Sequence, residues 1–267
     1  MIKLVICDID NTLVVKHTTI TERTLSAIRA VQARGILFGL ASGRNVQQLH
    51  EMEDQWNIKS DMLVGLNGSE LYDGLDGTTK RYYMMEPEWI KECFEVMAPF
   101  KTNPTVFYDD VTYVGELNEV ARKSAKYLNK PLPHVVKDYS EFWQRPSPKA
   151  CFRVSAEDMP AIEAAVAAHP SDKWAGFKTE FTMFEFCPIH ASKGEMMKKF
   201  CDKHGITMDE VMACGDMTND ISMLKMAGTG VCMASGSDDA KAASNVITEK
   251  GVEEDGWADY IEKNLLA

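Results

Sequence analysis

No two of the seven cysteines (Cys7, Cys93, Cys151, Cys187, Cys201, Cys214 and Cys232) stand in C-x-x-C spacing, and their number is odd. A disulfide framework and a zinc site are therefore not expected. Most of them lie in apolar runs and read as small buried hydrophobes of a reducing compartment. No apolar stretch approaches the ~18 residues of a membrane span. The first apolar run stops at Asp8, so a signal peptide is not expected and the expected location is cytoplasmic. Positive charge is in deficit: the net charge is −11. Such a surface repels nucleic-acid phosphates and anionic lipid, so neither nucleic acid nor a membrane is an expected partner. A small anionic substrate would need cations placed locally in its pocket. Internal repeats, low-complexity tracts and charge blocks are also missing, and nothing specifies an assembly beyond a monomer or small homo-oligomer.

What is present is a globular composition. Apolar residues make up 45% of 267, enough to bury a core in one large domain or in a domain plus a smaller one. Residues 2–7 (IKLVIC) form a short apolar run of the kind that makes a central parallel strand. Thr21 caps a helical pattern with Leu25, Ile28 and Val31 on one face, ended by Gly35. A strand is expected at 36–41, a helix near 45–55 and a strand at 62–66. This alternation predicts an α/β doubly wound, Rossmann-like parallel sheet, in which ligands bind beyond the carboxyl ends of the strands. Asp8, Ser42 and Asn67 each stand just past such an end.

The texture changes near residue 83 and returns near 188. In between, 105–114 reads as two antiparallel strands around Asp109-Asp110, with further strands at 149–155 and 181–187. Helices are expected near 87–98, 117–129 and 157–168. The expected organisation is a core of 1–83 and 188–267, with an α+β insertion at 84–187. After the return, Ser192 caps a helix over 193–204. A strand at 211–214, a helix near 219–226, a strand at 229–233 and a last helix near 255–265 follow.

Two carboxylates at i and i+2 of an extended segment point the same way. Asp8 and Asp10 would repel each other unless something cationic held them. A divalent metal is the simplest solution, and oxygen-only ligands suit Mg²⁺. Asp216 and Asp220, in GDMTND, add two more carboxylates after a strand. Lys193 opens a helix beside Ser192, where backbone N–H groups and an ammonium favour an anion. Ser42-Gly43 offers a hydroxyl and free N–H groups for phosphate oxygens. Taken singly, each has a plain structural reading: a turn, a strand–helix connection, a solvated lysine, a helix cap. Taken together, in order and each after a strand, they form the arrangement that phosphoryl transfer requires.

These motifs closely resemble those of the haloacid dehalogenase superfamily of phosphohydrolases, in its Cof-like branch with a type C2B cap (subclass IIB). DIDNTL at 8–13, ASGR at 41–44, Lys193 in SKG and GDMTND at 215–220 correspond to its four motifs. LNG at 66–68 resembles its ENG element, and GVEEDGW at 251–257 its late acidic segment. Ser42 and Lys193 are roughly 150 residues apart, room for a whole further domain. Two departures stand out. Asn11 replaces the usual Gly, and Asn is the non-Gly residue that best tolerates positive φ. Leu66 replaces the usual Glu, which weakens a substrate role there.

The resemblance implies a phosphatase acting on small phosphorylated metabolites, sugar phosphates first, through an aspartyl-phosphate. Asp8 would be the nucleophile and Asp10 the acid/base. Mg²⁺ would be held by Asp8, the backbone carbonyl of Asp10, and Asp216, with Asp220 supporting the metal or its waters. Ser42, Gly43, Lys193 and Asn219 would bind the phosphoryl group, and Arg44 and Asn67 would face the substrate. His190, by its position near the return from the insertion, is a candidate to face the pocket, with a plain surface histidine as the alternative. His17, His50, His134, His169 and His204 show no partner pattern and read as surface. The rivals are a phosphomutase with the same intermediate, a phosphoacceptor signalling receiver, and a non-catalytic metabolite-binding module. The long insertion and GDMTND argue against the receiver.

Overall fold

The computed structural model describes residues 1–15, 19–108, 111–127 and 131–267. The chain divides into two compact units: Met1–Tyr82 with Ala191–Ala267, and the intervening Tyr83–His190.

The first unit begins with β1 (Leu4–Cys7), α1 (Glu22–Ala33), β2 (Leu37–Ala41), α2 (Val46–Trp56), β3 (Met62–Gly65), β4 (Glu70–Asp73) and β5 (Thr78–Arg81). The second unit contains α3 (Pro87–Met97), β6 (Asn103–Tyr108), β7 (Val111–Val114), α4 (Glu119–Tyr127), β8 (His134–Val135), β9 (Ala150–Arg153), α5 (Met159–Ala167), β10 (Trp174–Glu180) and β11 (Met183–Pro188). The first unit then resumes with α6 (Lys193–His204), β12 (Val211–Gly215), α7 (Ile221–Met226), β13 (Thr229–Cys232), α8 (Asp238–Ala243), β14 (Val246–Ile247) and α9 (Gly256–Asn264).

The sheet of the first unit runs β14-β13-β12-β1-β2-β3-β4-β5. Its first six members are parallel and the last two antiparallel. The α/β expectation therefore holds, extended by a hairpin. All four residues of β1 are buried, as expected of a strand covered on both faces. Parallel strands end on the same edge. Cys7 is paired with both Cys214 and Leu40, and Ala41 with Val64. This register brings Asp8, Ser42, Leu66 and Asp216 to one edge of the sheet. Helix α1 is capped by Thr21, whose hydroxyl accepts from Thr24 N, and it buries Leu25, Ile28 and Val31. These pack with Val5, Phe38 and Trp257 in the main core. All seven cysteines are buried and free.

The second unit is an antiparallel sheet, β10-β11-β9-β6-β7-β8, in which only the β7–β8 pair is parallel. Its core is aromatic: Phe94 of α3 packs on Phe142 and edge-to-face on Phe152, and Phe186 meets Phe152 and Trp174 edge-to-face. Lys149 and Glu185 form a buried ion pair at 3.0 Å.

The sequence reading did not anticipate β4, β5, β8, β10, β14 or α8. Strand β5 (TTKR) is exposed at every position, so it has no inward side chains to give an alternating pattern. β8 and β14 are two residues each, too short for any period to show. Asp109-Asp110 and the end of the helix expected at 117–129 lie outside the described residues.

Strand β13 also sets a tight limit. A Cβ added to Gly230 would lie 2.1 Å from the carbonyl oxygen of Leu224 in α7. Gly230→Ala must push the helix and sheet apart, an overpacking cost of about 1–3 kcal/mol. Urea denaturation should show that loss as a lower midpoint at an unchanged slope.

Candidate active site

Lys193 organises the site. It is the first residue of α6, placed there by the Ser192 cap, whose hydroxyl accepts from Glu195 N. Its side chain is fully buried. The ammonium donates to Asp8 Oδ1 at 2.5 Å and to Asp220 Oδ1 at 2.6 Å. Burial alone would lower its pKa, but the Asp220 and Asp8 carboxylates outweigh that and hold it charged. Ser222 of α7 fixes the next residue, accepting from Gly194 N at 3.0 Å.

Asp216 directly follows β12 and receives a hydrogen bond from the Thr12 hydroxyl at 3.2 Å. The second oxygen of Asp220 accepts from Asp216 N and Met217 N, at 2.9 and 3.1 Å. Asp220 thus ties the 216–220 turn to Lys193. One carboxylate oxygen from each of Asp8, Asp216 and Asp220 lies within 4.8 Å of the others, and all three residues are buried. Burial raises Asp8 to about 7, with Lys193 opposing and Asp220 adding to the rise. Burial, then Asp8 and Asp220, raises Asp216 to about 9. Three carboxylates around one ammonium leave two negative charges uncompensated, the charge of one divalent cation. The donors are all oxygens, the set a hard cation takes. The residues fit a divalent metal.

The Asp10 carboxylate is not one of the three. β1 ends at Cys7, and the chain turns through 11–13, with Asn11 N donating to Val14 O at 2.7 Å. Asp10 pairs instead with Arg44, whose Nη2 donates to both oxygens at 3.1 and 2.9 Å. The two carboxylates of D-x-D are therefore paired with different cationic side chains, Asp8 with Lys193 and Asp10 with Arg44. Asn11 has φ +64°, so the residue replacing glycine adopts the left-handed turn it was expected to tolerate.

The loop after β2 carries Ser42, Gly43 and Arg44. The buried Ser42 hydroxyl accepts from Arg44 N at 3.3 Å. Opposite it, Leu66, Asn67 and Gly68 all have positive φ: +52°, +55° and +112°. That run aims Leu66 N at Arg44 O (2.7 Å) and Asn67 N at Ser42 O (3.0 Å). Asn67 Oδ1 also accepts from Asn219 Nδ2 at 3.1 Å. Ser42, Gly43, Asn67 and Asn219 are thus brought together, next to the Lys193 cluster.

His190 is exposed and lies in the second unit, its ring 6.2 Å from that of Tyr83. Other histidines correct the reading of partnerless surface groups. His50 pairs with Glu53, His134 with Glu141 and the partly buried His204 with Asp73, at 2.7, 2.9 and 2.8 Å. His169 Nδ1 lies 2.7 Å from Ala165 O. His17 lies outside the described residues. Thr12, Ser222 and the Arg44–Asp10 pairing had no assigned role from sequence. Thr12 sits inside DIDNTL and could have been found there; the others depend on which elements meet.

Both raised carboxylates make the metal-free protein bind more protons folded than unfolded. Their folded values, about 7 and about 9, lie above an unfolded value of about 3.9. Stability should therefore fall as pH rises from about 4 through 7 and on to 9. A divalent cation competes with those protons, so it should raise Tm more at pH 8 than at pH 5.5. Each tenfold gain in affinity is about 1.4 kcal/mol, or about 2–4 °C in Tm. Thermal melts with Mg²⁺ or EDTA at the two pH values check this; equal gains at both would contradict it.

A family model for haloacid dehalogenase-like hydrolases matches residues 5–261. The 5-amino-6-(5-phospho-D-ribitylamino)uracil phosphatase YcsE of Bacillus subtilis (strain 168) is 26% identical over 265 residues, covering 99% of this chain and 96% of that protein. The pyridoxal phosphate phosphatase YbhA of Escherichia coli (strain K12) is 24% identical over 273 residues, covering 99% of each. The solved structure of the subclass IIB sugar phosphatase BT4131 has the same fold, with a TM-score of 0.81 at 22% identity over 97% of this chain and 98% of that one. Since the match runs from the first strand to the last helix and takes in every motif of the site, the chain belongs to the haloacid dehalogenase-like hydrolases.

Proposed function

We propose that this protein is a Mg²⁺-dependent phosphatase of small phosphorylated metabolites, sugar phosphates first, working through an aspartyl-phosphate on Asp8. The observation that carries the reading is the buried Lys193 ammonium between Asp8 and Asp220, with Asp216 completing a three-carboxylate cluster. The relatives support the substrate class, since a ribityl phosphate, pyridoxal phosphate and sugar phosphates are the substrates their names give.

In this reading an Asp8 oxygen attacks phosphorus, and the bond to the ester oxygen breaks. Asp10 gives that oxygen a proton as it leaves. Asp10 then takes a proton from the water that attacks the phosphoryl group on Asp8. Inorganic phosphate departs and Asp8 is restored. Lys193, Ser42, Gly43 and Asn219 hold the transferring oxygens, placing fixed donors where charge accumulates. Asp8, Asp216 and the Asp10 carbonyl would hold Mg²⁺, which would supply positive charge against the repulsion between a carboxylate and a phosphate dianion. Asp220, whose oxygens are taken by Lys193 and the 216–217 amides, steadies the other ligands. Arg44 orients Asp10.

Asp8→Asn keeps the shape but replaces the attacking carboxylate with a poor nucleophile. It should fold and lose nearly all turnover, by about 10⁴-fold or more. Phosphate release from a phosphomonoester panel measures this, and near-normal release from the variant would sink the assignment.

The second unit is assigned to reading the leaving group, because the residues proposed to hold phosphate and metal all belong to the first. Replacing residues 83–190 with a short linker should preserve metal binding yet flatten the spread of kcat/KM across the panel. An unchanged rank order and spread would remove the second unit from specificity.

A further inference from the structure

Glu70 belongs to β4, in the hairpin that extends the sheet, and it lies outside every motif of the site. It is nonetheless buried, at 4% exposure. Its Oε2 accepts from Val46 N at 3.0 Å, and its Oε1 accepts from Arg81 Nε at 2.7 Å. Val46 is the first residue of α2, immediately after the loop that carries Ser42 and Arg44. Its N–H is one of the donors a helix start leaves unpaired. Asn45 caps Gln48 N instead, so the N–H of Val46 is met from another element.

The fit leaves no slack. Glu70 is paired across the sheet with Gly65. A Cβ on Gly65 would lie 2.9 Å from Val46 N, 3.1 Å from Glu70 Oε2 and 3.2 Å from Arg44 O. The loop is therefore gripped from both sides: Leu66 N holds Arg44 O, and Glu70 holds the next-but-one amide. The Arg44 side chain departs from that fixed backbone to grip Asp10.

We infer that Glu70 is a positioning residue for the acid/base step: it pins Val46 N, fixes the Arg44 backbone and so sets the orientation of Asp10. The inference rests on the reading of Asp10 as the group that protonates the leaving oxygen. Arg81 holds the other Glu70 oxygen and so keeps the carboxylate turned toward Val46; in this role Glu70 acts through the loop and not on the reacting atoms.

The test uses leaving groups that differ in their need for a proton. p-Nitrophenolate leaves without one, whereas the alkoxide of glycerol 2-phosphate does not. Because kcat/KM covers the steps up to departure of the leaving group, its loss should depend on the substrate. With the full-length protein and saturating Mg²⁺, Asp10→Asn provides the yardstick. It should lower kcat/KM for glycerol 2-phosphate by about 10²-fold or more and far less for p-nitrophenyl phosphate. Glu70→Ala should lose about 10-fold or more on glycerol 2-phosphate and about threefold or less on p-nitrophenyl phosphate. Glu70→Gln keeps an acceptor for Val46 N and should stay within about threefold on both, whereas Glu70→Asp keeps the charge but not the reach and should follow Ala. If Glu70→Ala does not fold, the Gln–Asp contrast decides. Equal losses on both substrates, or no loss, in a background where Asp10→Asn discriminates would overturn the role of Glu70 alone. Failure of Asp10→Asn to discriminate would overturn the acid/base reading, and this inference with it.

Discussion

A single ammonium buried among carboxylates is the constraint on which the rest of the first unit turns. Lys193 has no solvent exposure and two carboxylate partners, so removing it would strand Asp8 and Asp220 in a low-dielectric interior. Its placement requires α6 to start at one point, which the Ser192 cap and the Ser222 bond to Gly194 secure. It also requires β1 and β12 to end level with each other, which their register provides. The three-carboxylate cluster follows from that alignment, and so do the raised proton affinities of Asp8 and Asp216.

Around this centre the connecting loops are held by backbone groups more than by side chains. The 66–68 segment spends its unusual conformation on presenting two N–H groups to the Ser42 and Arg44 carbonyls. Non-glycine residues at positive φ cost of order 1–3 kcal/mol each and persist where the surroundings enforce them. Leu66 is the clearest case, since Asn67 tolerates the region and Gly68 is indifferent to it. A position whose side chain departs from the superfamily's usual acid is thus still used for its amide.

Much of this was legible in the sequence because it is local. Apolar runs ending in Asp8, Ser42 and Asp216 declare strands and the edge they share, and Asn11 declares its turn. Thr21 and Ser192 declare helix starts. What was not legible depends on partners distant in the chain. That Asp10 turns to Arg44 rather than toward the carboxylate cluster follows from the 11–13 turn and from where α2 begins. Glu70 looks like any polar strand residue until Val46 is found beside it. Strand β5 buries nothing, so it leaves no periodic trace. His204 acquires a partner in Asp73 only because α6 runs past β4.

The second unit is one unbroken stretch of chain, whereas the first is assembled from two. Lys193 and Asp8 are 185 residues apart, and Thr12 and Asp216 are 204 apart. β1 is at the centre of its sheet, yet one of its two neighbours, β12, is synthesised only after the whole second unit. Contacts of such separation carry the loop-closure cost before they return any packing. On the ribosome the second unit can close its own sheet while Asp8 still waits for its lysine. The charged centre can form only once the C-terminal part of the chain, which carries Lys193, Asp216 and Asp220, has been synthesised.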